Sequence, residues 1–225
     1  MQSVIPPIKA ILYDLDGTLI DHFRAIHGSI AFAQQELGLP VSSYDKVRAT
    51  VGGGIELTLT RLVGPELAPA ALPLYRRHFD EIMLQELDPL PGAAWLLEQL
   101  HARGVRQAIL TNKIGDSSRT LLRHLGWDRW LELILGADDT PWRKPQPEFT
   151  RLALEKLAVA PAETLFIGDS TFDIATAHNA GLHCRVVATG SHTRDQLLAN
   201  QPPPDAVFDN LYQLGAATFH LIPPA

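Results

Sequence analysis

The sequence predicts an α/β protein with a Rossmann-like, doubly wound parallel sheet and an inserted all-helical segment. Two observations support this prediction. After residue 90, short apolar strands alternate with helical patterns, which is the order of βαβ units in a mainly parallel sheet covered on both faces. Between residues 21 and 88 this alternation is absent, and apolar residues recur only at helical spacing. A chain of 225 residues can bury one large core, or one core and a smaller satellite.

The elements follow from local patterns. A first strand is expected over residues 8–13, which are mostly apolar. Pro91-Gly92 opens the next helix of the sheet region, and Gly104 ends it. In chain order we expect a helix over 93–100, a strand over 106–110, a helix over 116–125, a strand over 133–135, a helix over 149–157, a strand over 164–167, a helix over 172–179, a strand over 184–188, a helix over 193–199 and a last strand over 206–208.

The inserted segment contains two clear helical stripes. One begins at Phe23 and ends at Leu37, and the other runs from Leu72 to Met83. We therefore expect a core of residues 1–20 and 89–225 and a helical cap of residues 21–88 without strands. A helical insertion directly after the first strand lies over the crevice at the sheet edge, where such caps exclude water and select substrates.

The first strand runs directly into an acidic loop. Asp14 and Asp16 are spaced i, i+2, so strand alternation points both carboxylates to one side. Gly17 follows, and its tight turn brings peptide N–H groups near any anion held there. Two carboxylates near a metal can divide the work of nucleophile and proton donor. Taken alone, the loop is equally consistent with an ordinary acidic turn.

Later strands end in a similar way. The strand over 106–110 leads into Thr111-Asn112-Lys113, and the strand over 164–167 leads into the segment from Gly168 to Asp173. Between them Lys144-Pro145 precedes a helix. In an open parallel sheet the carboxyl ends of the strands converge on one crevice. A hydroxyl, an amine and several carboxylates together predict a phosphoryl-transfer site.

These four motifs, in this order, resemble those of the haloacid dehalogenase superfamily. Within it the sequence is most similar to the phosphoglycolate phosphatase group. The resemblance implies a Mg²⁺-dependent hydrolase of a small phosphomonoester, with an aspartyl-phosphate formed on Asp14 and acid–base catalysis by Asp16. It implies that Thr111 and the N–H groups after it, including that of Asn112, hold phosphoryl oxygens, and that Lys144 neutralises charge.

The resemblance also implies a metal site. Asp14 and Asp169 would supply carboxylate oxygens and Asp16 a backbone carbonyl, with water and substrate completing the shell of Mg²⁺. Asp173 is assigned to the metal site, either as a partner of its ligands or as a residue that stabilises a helix dipole. Ser170 either lies near the metal or caps that helix.

Two cap positions are candidate substrate contacts. His22 either contacts substrate at the entrance to the cap or is a surface residue of the hinge. Gly53, in the run Gly52-Gly53-Gly54, either belongs to a loop that reaches substrate or to an ordinary turn between helices.

Alternative functions remain open at this point. A phosphosugar mutase of the β-phosphoglucomutase type resembles the chain, but those enzymes tend to have Ser-Ala-Ser or similar where this chain has Thr111-Asn-Lys113. A catalytically silent binding protein on the same fold would not require all the catalytic residue types.

The composition of the chain limits the kinds of binding partner that we expect for it. The net charge of −6 and the lack of a long basic run disfavour nucleic acid. A single cysteine, Cys184, excludes an intrachain disulfide. The N-terminus shows no export signal and no run of 18 apolar residues occurs, so we expect a cytoplasmic protein without a membrane span. The expected partner is a small phosphorylated metabolite, and the chain is a monomer or a homodimer.

Overall fold

A computed structural model describes residues 8–224, and its centre is a six-stranded parallel sheet. Its strands are β1 (Ala10–Tyr13), β4 (Arg106–Leu110), β5 (Leu133–Leu135), β6 (Thr164–Gly168), β7 (His183–Val187) and β8 (Ala206–Phe208). Their order in the sheet is β5-β4-β1-β6-β7-β8, and every neighbouring pair is parallel. The order reverses direction at β1, which creates a crevice at its carboxyl end.

Helices cover both faces of this sheet. They are α5 (Ala93–Ala102), α6 (Gly115–His124), α7 (Pro147–Lys156), α8 (Thr171–Ala180), α9 (Arg194–Leu198) and α10 (Leu211–Phe219). Alternate residues of each strand enter different hydrophobic clusters because successive side chains point to opposite faces. Ile11 and Tyr13 of β1 pack with α5, α6 and α10, whereas Ala10 and Leu12 pack with α7, α8 and α9. The predicted doubly wound α/β architecture is confirmed.

Strand register places the motif residues side by side. Tyr13, the last residue of β1, pairs with Ile109 of β4 and with Ile167 of β6. The loops that follow these strands therefore begin at the same level of the sheet. Asp14 consequently lies between the segments that begin at Thr111 and Asp169.

The helical cap consists of four helices between residues 23 and 82. They are α1 (Phe23–Glu36), α2 (Tyr44–Arg48), α3 (Ile55–Val63) and α4 (Ala68–Ile82). Their apolar faces form a third buried cluster around Ile30, Leu59 and Phe79, as the two helical stripes predict. The exact division of the chain into residues 1–20 with 89–225 and residues 21–88 stays a prediction.

Two features differ from the sequence-based expectations. Two-residue strands, β2 (Ile20–Asp21) and β3 (Asp88–Pro89), pair antiparallel where the chain enters and leaves the cap. Strand patterns need more than two residues to become visible, so the expectation of no strand in this segment was wrong at its ends. Helix α10 was not predicted either, and Gly215 in its centre hides the helical pattern.

Gly215 has a packing reason. A Cβ at Gly215 would lie 2.6 Å from the Trp95 ring, so glycine lets α10 approach α5 closely.

Within residues 8–224, no helix is both long and apolar enough to cross a membrane.

Candidate active site

The carboxylate of Asp14 forms the floor of a cavity between the sheet edge and the cap. The backbone N–H of Asp14 still belongs to the sheet, because it donates to the Ile167 carbonyl at 2.9 Å. Its side chain accepts from the Lys144 ammonium, with Nζ 2.9 Å from Oδ1. Burial raises the pKa of Asp14 to about 6, Lys144 opposes that rise and Asp173 adds to it. Asp14 is thus a partly desolvated carboxylate beside a single cation.

Lys144 is a completely buried cation. Its Nζ lies 2.7 Å from Asp173 Oδ1 as well as 2.9 Å from Asp14. Burial favours the neutral amine, but the two carboxylates outweigh this effect and raise the pKa of Lys144 above its usual value. The ammonium therefore stays charged and holds Asp14 in place.

Asp173 is a scaffold for the neighbouring groups. Its Oδ2 accepts from the backbone N–H of Asp169 at 3.1 Å and from the Ser170 backbone N–H and hydroxyl at 3.0 and 2.6 Å. Ser170 in turn caps α8, since Ser170 and Asp173 form a reciprocal capping box. Both oxygens of Asp173 are committed to donors. Asp173 therefore holds both the Lys144 ammonium and the loop that begins at Asp169.

Asp169 completes a cluster of buried carboxylates. Its Oδ1 accepts from the Thr18 hydroxyl at 3.1 Å, and its Oδ2 accepts from the Ser191 backbone N–H at 2.8 Å. Oxygens of Asp14, Asp169 and Asp173 lie within 4.8 Å of one another, as a metal site requires. Burial, followed by the charges of Asp173 and Asp14, raises the pKa of Asp169 well above its ordinary value. Two of the three carboxylates, those of Asp14 and Asp173, share the Lys144 ammonium, and the cluster as a whole could hold a metal ion.

Asp16 is held in a different electrostatic environment. The Lys113 Nζ lies 3.1 and 3.0 Å from its two oxygens. Burial by itself would raise the pKa of Asp16, but Lys113 and then His22 outweigh it and hold the pKa below its usual value. The two aspartates of the first loop therefore differ: Asp14 is close to titrating, whereas Asp16 is firmly ionised.

His22 is buried at the hinge and lies beneath Asp16. Its Nε2 is 2.8 Å from the Met83 carbonyl, and since a carbonyl only accepts, Nε2 carries the proton. Its Nδ1 faces Asp16 at 3.6 Å. Burial, together with Lys113, lowers the pKa of His22. His22 does not line the cavity, and as a fully buried side chain it is not the surface hinge residue of the second hypothesis.

Thr111 and Asn112 lie on the cavity wall next to Asp14. The Thr111 hydroxyl accepts from the Lys113 backbone N–H at 3.2 Å. The Asn112 amide donates to the carbonyls of Gly52 and Lys144 at 3.0 and 3.1 Å, and its oxygen accepts from the Lys144 N–H at 3.0 Å. Asn112 therefore ties the Lys144 loop and the cap to the end of β4.

Some of the glycines line the cavity, and others allow close packing beside it. Gly52 and Gly54 line the cavity, whereas Gly53 faces Phe172, where a Cβ would lie 2.8 Å from the ring. Gly17 has a φ of +85°, and its N–H donates to the Ile20 carbonyl at 2.8 Å. A Cβ at Gly17 would lie 2.8 Å from Asp169 Oδ2. Gly17 thus allows the acidic loop to approach Asp169 closely.

Several contributors were missed by the sequence-based site. The sequence places Lys113 directly after the strand over 106–110, but no pattern in it assigns Lys113 to Asp16. Ser191 follows β7, so the rule that placed the other motifs at strand ends could have included it. The cap residues on the cavity wall carry no signal in the sequence, since apolar residues on a helical stripe equally predict a core.

Comparisons with known proteins identify the family of this chain. The family model of haloacid dehalogenase-like hydrolases matches residues 11–187. A relative from Dickeya dadantii (strain 3937), named "Probable phosphatase IndB", is 34% identical over 85% of this chain and 86% of its own length. A phosphoglycolate phosphatase from Thiobacillus denitrificans is 34% identical over 80% of this chain and 83% of its own.

The fold is shared with solved structures. A haloacid dehalogenase-like hydrolase from Streptococcus pneumoniae superposes with a TM-score of 0.85 at 25% identity, covering 93% of this chain and 98% of that one. Fold, motif order and identity over most of the chain all agree with the family model. The chain therefore belongs to the haloacid dehalogenase-like hydrolases and is a hydrolase of phosphoric monoesters.

Proposed function

We propose that this protein is a Mg²⁺-dependent phosphatase that hydrolyses a small phosphomonoester through an aspartyl-phosphate on Asp14. The observation that carries the proposal is the pairing of buried Asp14 with the buried Lys144 ammonium at 2.9 Å, on the floor of a cavity. The relative from Dickeya dadantii is named a probable phosphatase, and relatives from Thiobacillus denitrificans and Pseudomonas aeruginosa are named phosphoglycolate phosphatases, so phosphoglycolate is the first substrate to test.

In the first half-reaction an Asp14 oxygen attacks phosphorus. The bond from phosphorus to the ester oxygen breaks, and the alkoxide takes a proton and leaves as the alcohol. The Lys144 charge stabilises the negative charge on Asp14 and on the transferring group, and it is already in position before reaction. In the second half-reaction water attacks the aspartyl-phosphate, which releases phosphate and restores the Asp14 carboxylate.

Asp16 would supply and later remove the proton. Paired with Lys113, it is ionised, which is the form that deprotonates the attacking water. The acid role requires a protonated Asp16. The incoming phosphate is an anion that competes for the Lys113 ammonium, and loss of that pairing raises the pKa of Asp16. One lysine thereby links substrate arrival to the protonation of Asp16.

The remaining residues orient the phosphate and a cation. Thr111 and Asn112 line the cavity beside Asp14 and would hold the phosphoryl oxygens. Asp14 and Asp169 would bind Mg²⁺ with their carboxylates and Asp16 with its backbone carbonyl, while Asp173 orients Lys144 and the Asp169 loop. When bound, the ion would neutralise negative charge at the phosphate and at the carboxylates.

Two measurements test the proposal. Asp14→Asn keeps the size of the side chain but replaces the attacking carboxylate, so kcat should fall by several orders of magnitude on every ester. EDTA should stop turnover by the unmodified protein and Mg²⁺ should restore it, with Ca²⁺ a poor substitute. An Asp14→Asn variant that keeps a tenth of the original kcat would contradict covalent catalysis, and full activity in excess EDTA would contradict the metal.

The two alternative functions, a catalytically silent binding protein and a phosphosugar mutase, have less support. Membership in a family of hydrolases argues against a silent binding protein. The mutase alternative requires transfer of the phosphate to a second sugar hydroxyl rather than to water. Release of inorganic phosphate at the same rate as the alcohol would exclude it.

A further inference from the structure

The cavity above Asp14 has two chemically different sides. Its volume is about 370 Å³, within the range of small-molecule sites. The core side is polar and carries Asp14, Asp16 and Thr111. On the cap side five apolar or aromatic residues form what we define as the apolar wall: Ile26, Val51, Ile55, Tyr75 and Phe79. Thr58, Arg76 and Asp80 also line this side.

No unpaired cation is available on this wall among the residues that the structure describes. Two cations line the cavity, Lys113 and Arg76. Lys113 is held by both oxygens of Asp16, and in the proposed mechanism the substrate phosphate competes for it, so it is not free for a second anion. Arg76 is half exposed and lies 3.5 Å from Glu56. A carboxylate on the substrate would therefore have to displace an existing partner to be neutralised.

Several acidic side chains also line the cavity. Besides Asp14 and Asp16, the cavity is lined by Asp80, Asp116 and Asp138. All three are exposed to solvent, so they repel a second anionic group on the substrate only through a charge that water screens, and the penalty they add is small. Phosphoglycolate carries such a group two carbons from its phosphate.

Size gives a third argument. A cavity of about 370 Å³ has room for roughly a dozen water molecules. A phosphate group with a glycolate attached has nine heavy atoms, so it would leave part of this cavity unfilled. An alkyl or aromatic group that covers the apolar wall removes apolar surface from water, which is favourable.

We propose that the preferred substrate is a phosphomonoester whose alcohol is uncharged, larger than glycolate and mainly apolar, seated against the apolar wall. This inference rests on the proposed phosphatase function and names its substrate class. The apolar wall is then a specificity-determining surface, and the polar floor acts on any phosphate that the wall admits.

Tyr75 adds one polar feature to the wall. Its ring is buried, and burial, followed by Asp16 and Asp80, raises the pKa of its hydroxyl well above the ordinary value. The hydroxyl therefore keeps its proton and can donate a hydrogen bond into the cavity. An ether or hydroxyl oxygen on the alcohol would match it.

The first test compares alkyl esters with the unmodified protein and saturating Mg²⁺. The panel is ethyl phosphate, 2-phosphoglycolate, 3-methylbutyl phosphate and benzyl phosphate. Since one well-seated methylene alters kcat/KM by about tenfold or more, both large esters should exceed ethyl phosphate by at least tenfold. 2-Phosphoglycolate should not exceed ethyl phosphate.

The second test changes the wall. Ile55 is the first residue of α3 and is half-buried, so Ile55→Lys places a cation on the wall. The ratio of kcat/KM for 3-methylbutyl phosphate to that for 2-phosphoglycolate should fall at least a hundredfold. Val41→Lys makes the same change at an exposed cap position outside the cavity, and it should keep the original ratio.

A third comparison addresses Tyr75. 2-Methoxyethyl and butyl phosphate differ by an oxygen in place of one methylene. Tyr75→Phe should lower kcat/KM for the methoxy ester relative to the butyl ester, and an unchanged ratio would remove the hydrogen bond from the proposal.

The outcomes separate the two proposals. If 2-phosphoglycolate is the fastest ester and the others are turned over slowly, the phosphatase function stands and the apolar substrate class is wrong. If no ester is hydrolysed in the presence of Mg²⁺, the phosphatase function fails and the substrate class fails with it.

Discussion

The sheet edge and the cap wall meet at one cavity, yet they are built on opposite principles. At the sheet edge, Lys144 is shared by Asp14 and Asp173, and Asp173 accepts from three further donors. On the apolar wall of the cap, side chains such as Ile55 and Phe79 can contribute only apolar contacts. Buried charges need precise partners, whereas apolar contacts depend mainly on area and shape. The chemistry should therefore be intolerant of substitution, and the selectivity should be adjustable.

Apart from the substitution of Asp14 itself, the largest effect is expected at Lys144. Lys144→Met keeps much of the volume but leaves Asp14 and Asp173 buried without their shared cation. Breaking a buried ion pair typically costs about 3–5 kcal/mol of stability. We expect kcat to fall at least about a thousandfold, in line with the loss of preorganised charge.

Activity and thermal unfolding of this variant would be measured together. The matched control is Lys46→Met, which removes an exposed lysine from the cap and should alter neither property. A Lys144→Met protein with near-normal kcat would mean that the sheet edge is no more demanding than the cap wall.

A smaller effect, dependent on the leaving group, is expected at Asp16. Asp16→Ala should reduce kcat on an alkyl phosphate about a hundredfold more than on p-nitrophenyl phosphate, because a phenolate leaves without much protonation. Rates on both esters would be compared in one buffer. Equal losses would assign Asp16 to positioning of Lys113 or the metal rather than to proton transfer.

The third prediction concerns how the carboxylate cluster affects protein stability, which is measured without substrate. Asp14 and Asp169 have raised pKa values in the folded protein, so between pH 4 and 6 the folded state holds protons that the unfolded chain has lost. The free energy of unfolding without metal should therefore fall as the pH rises through this interval. At pH 7.5, Mg²⁺ at a hundred times its Kd should add about 2.7 kcal/mol, or several degrees of Tm.

The metal effect should be smaller at pH 5, where protons compete for Asp14. Asp169→Asn removes one of the repelling charges, so it should raise the Tm of the metal-free protein and abolish the response to Mg²⁺. Differential scanning calorimetry measures both. An equal Mg²⁺ response in this variant would place the ion elsewhere.

The smallest effect is expected where the cap rests on the core. Arg48 of α2 donates to the backbone carbonyls of Gly190 and Thr189 at 3.0 and 2.9 Å. Arg48→Met removes these bonds without touching the sheet edge. We expect KM to rise by less than about tenfold, kcat to change little and amide exchange in α2 to accelerate.

The control for this variant is Arg61→Met, at an exposed position on α3. A large loss of kcat in Arg48→Met would show that the cap helps to build the catalytic geometry and does not only select substrate.

The sequence was sufficient for most of the α/β region because strands, turn residues and helices alternate there with strong local signals. The strand register then explains why Asp14, Thr111 and Asp169 lie together: they follow neighbouring parallel strands that end at one level. Helix α10 and the two short strands at the cap boundary escaped prediction, because Gly215 and two-residue elements leave no periodic pattern.

Chain order and residue type thus determined by themselves the fold class, the family and several of the polar groups at the crevice. Only the tertiary structure decided how those groups share their charges. It paired Lys113 with Asp16, committed both oxygens of Asp173 to donors, buried His22 under Asp16 and turned Gly53 away from the cavity. These outcomes depend on distances between residues far apart in the chain, and electrostatic interactions vary steeply with such distances and with burial. The chemistry of the cap wall has the same origin, since packing alone determines which apolar side chains of a helix face the cavity and which face the core.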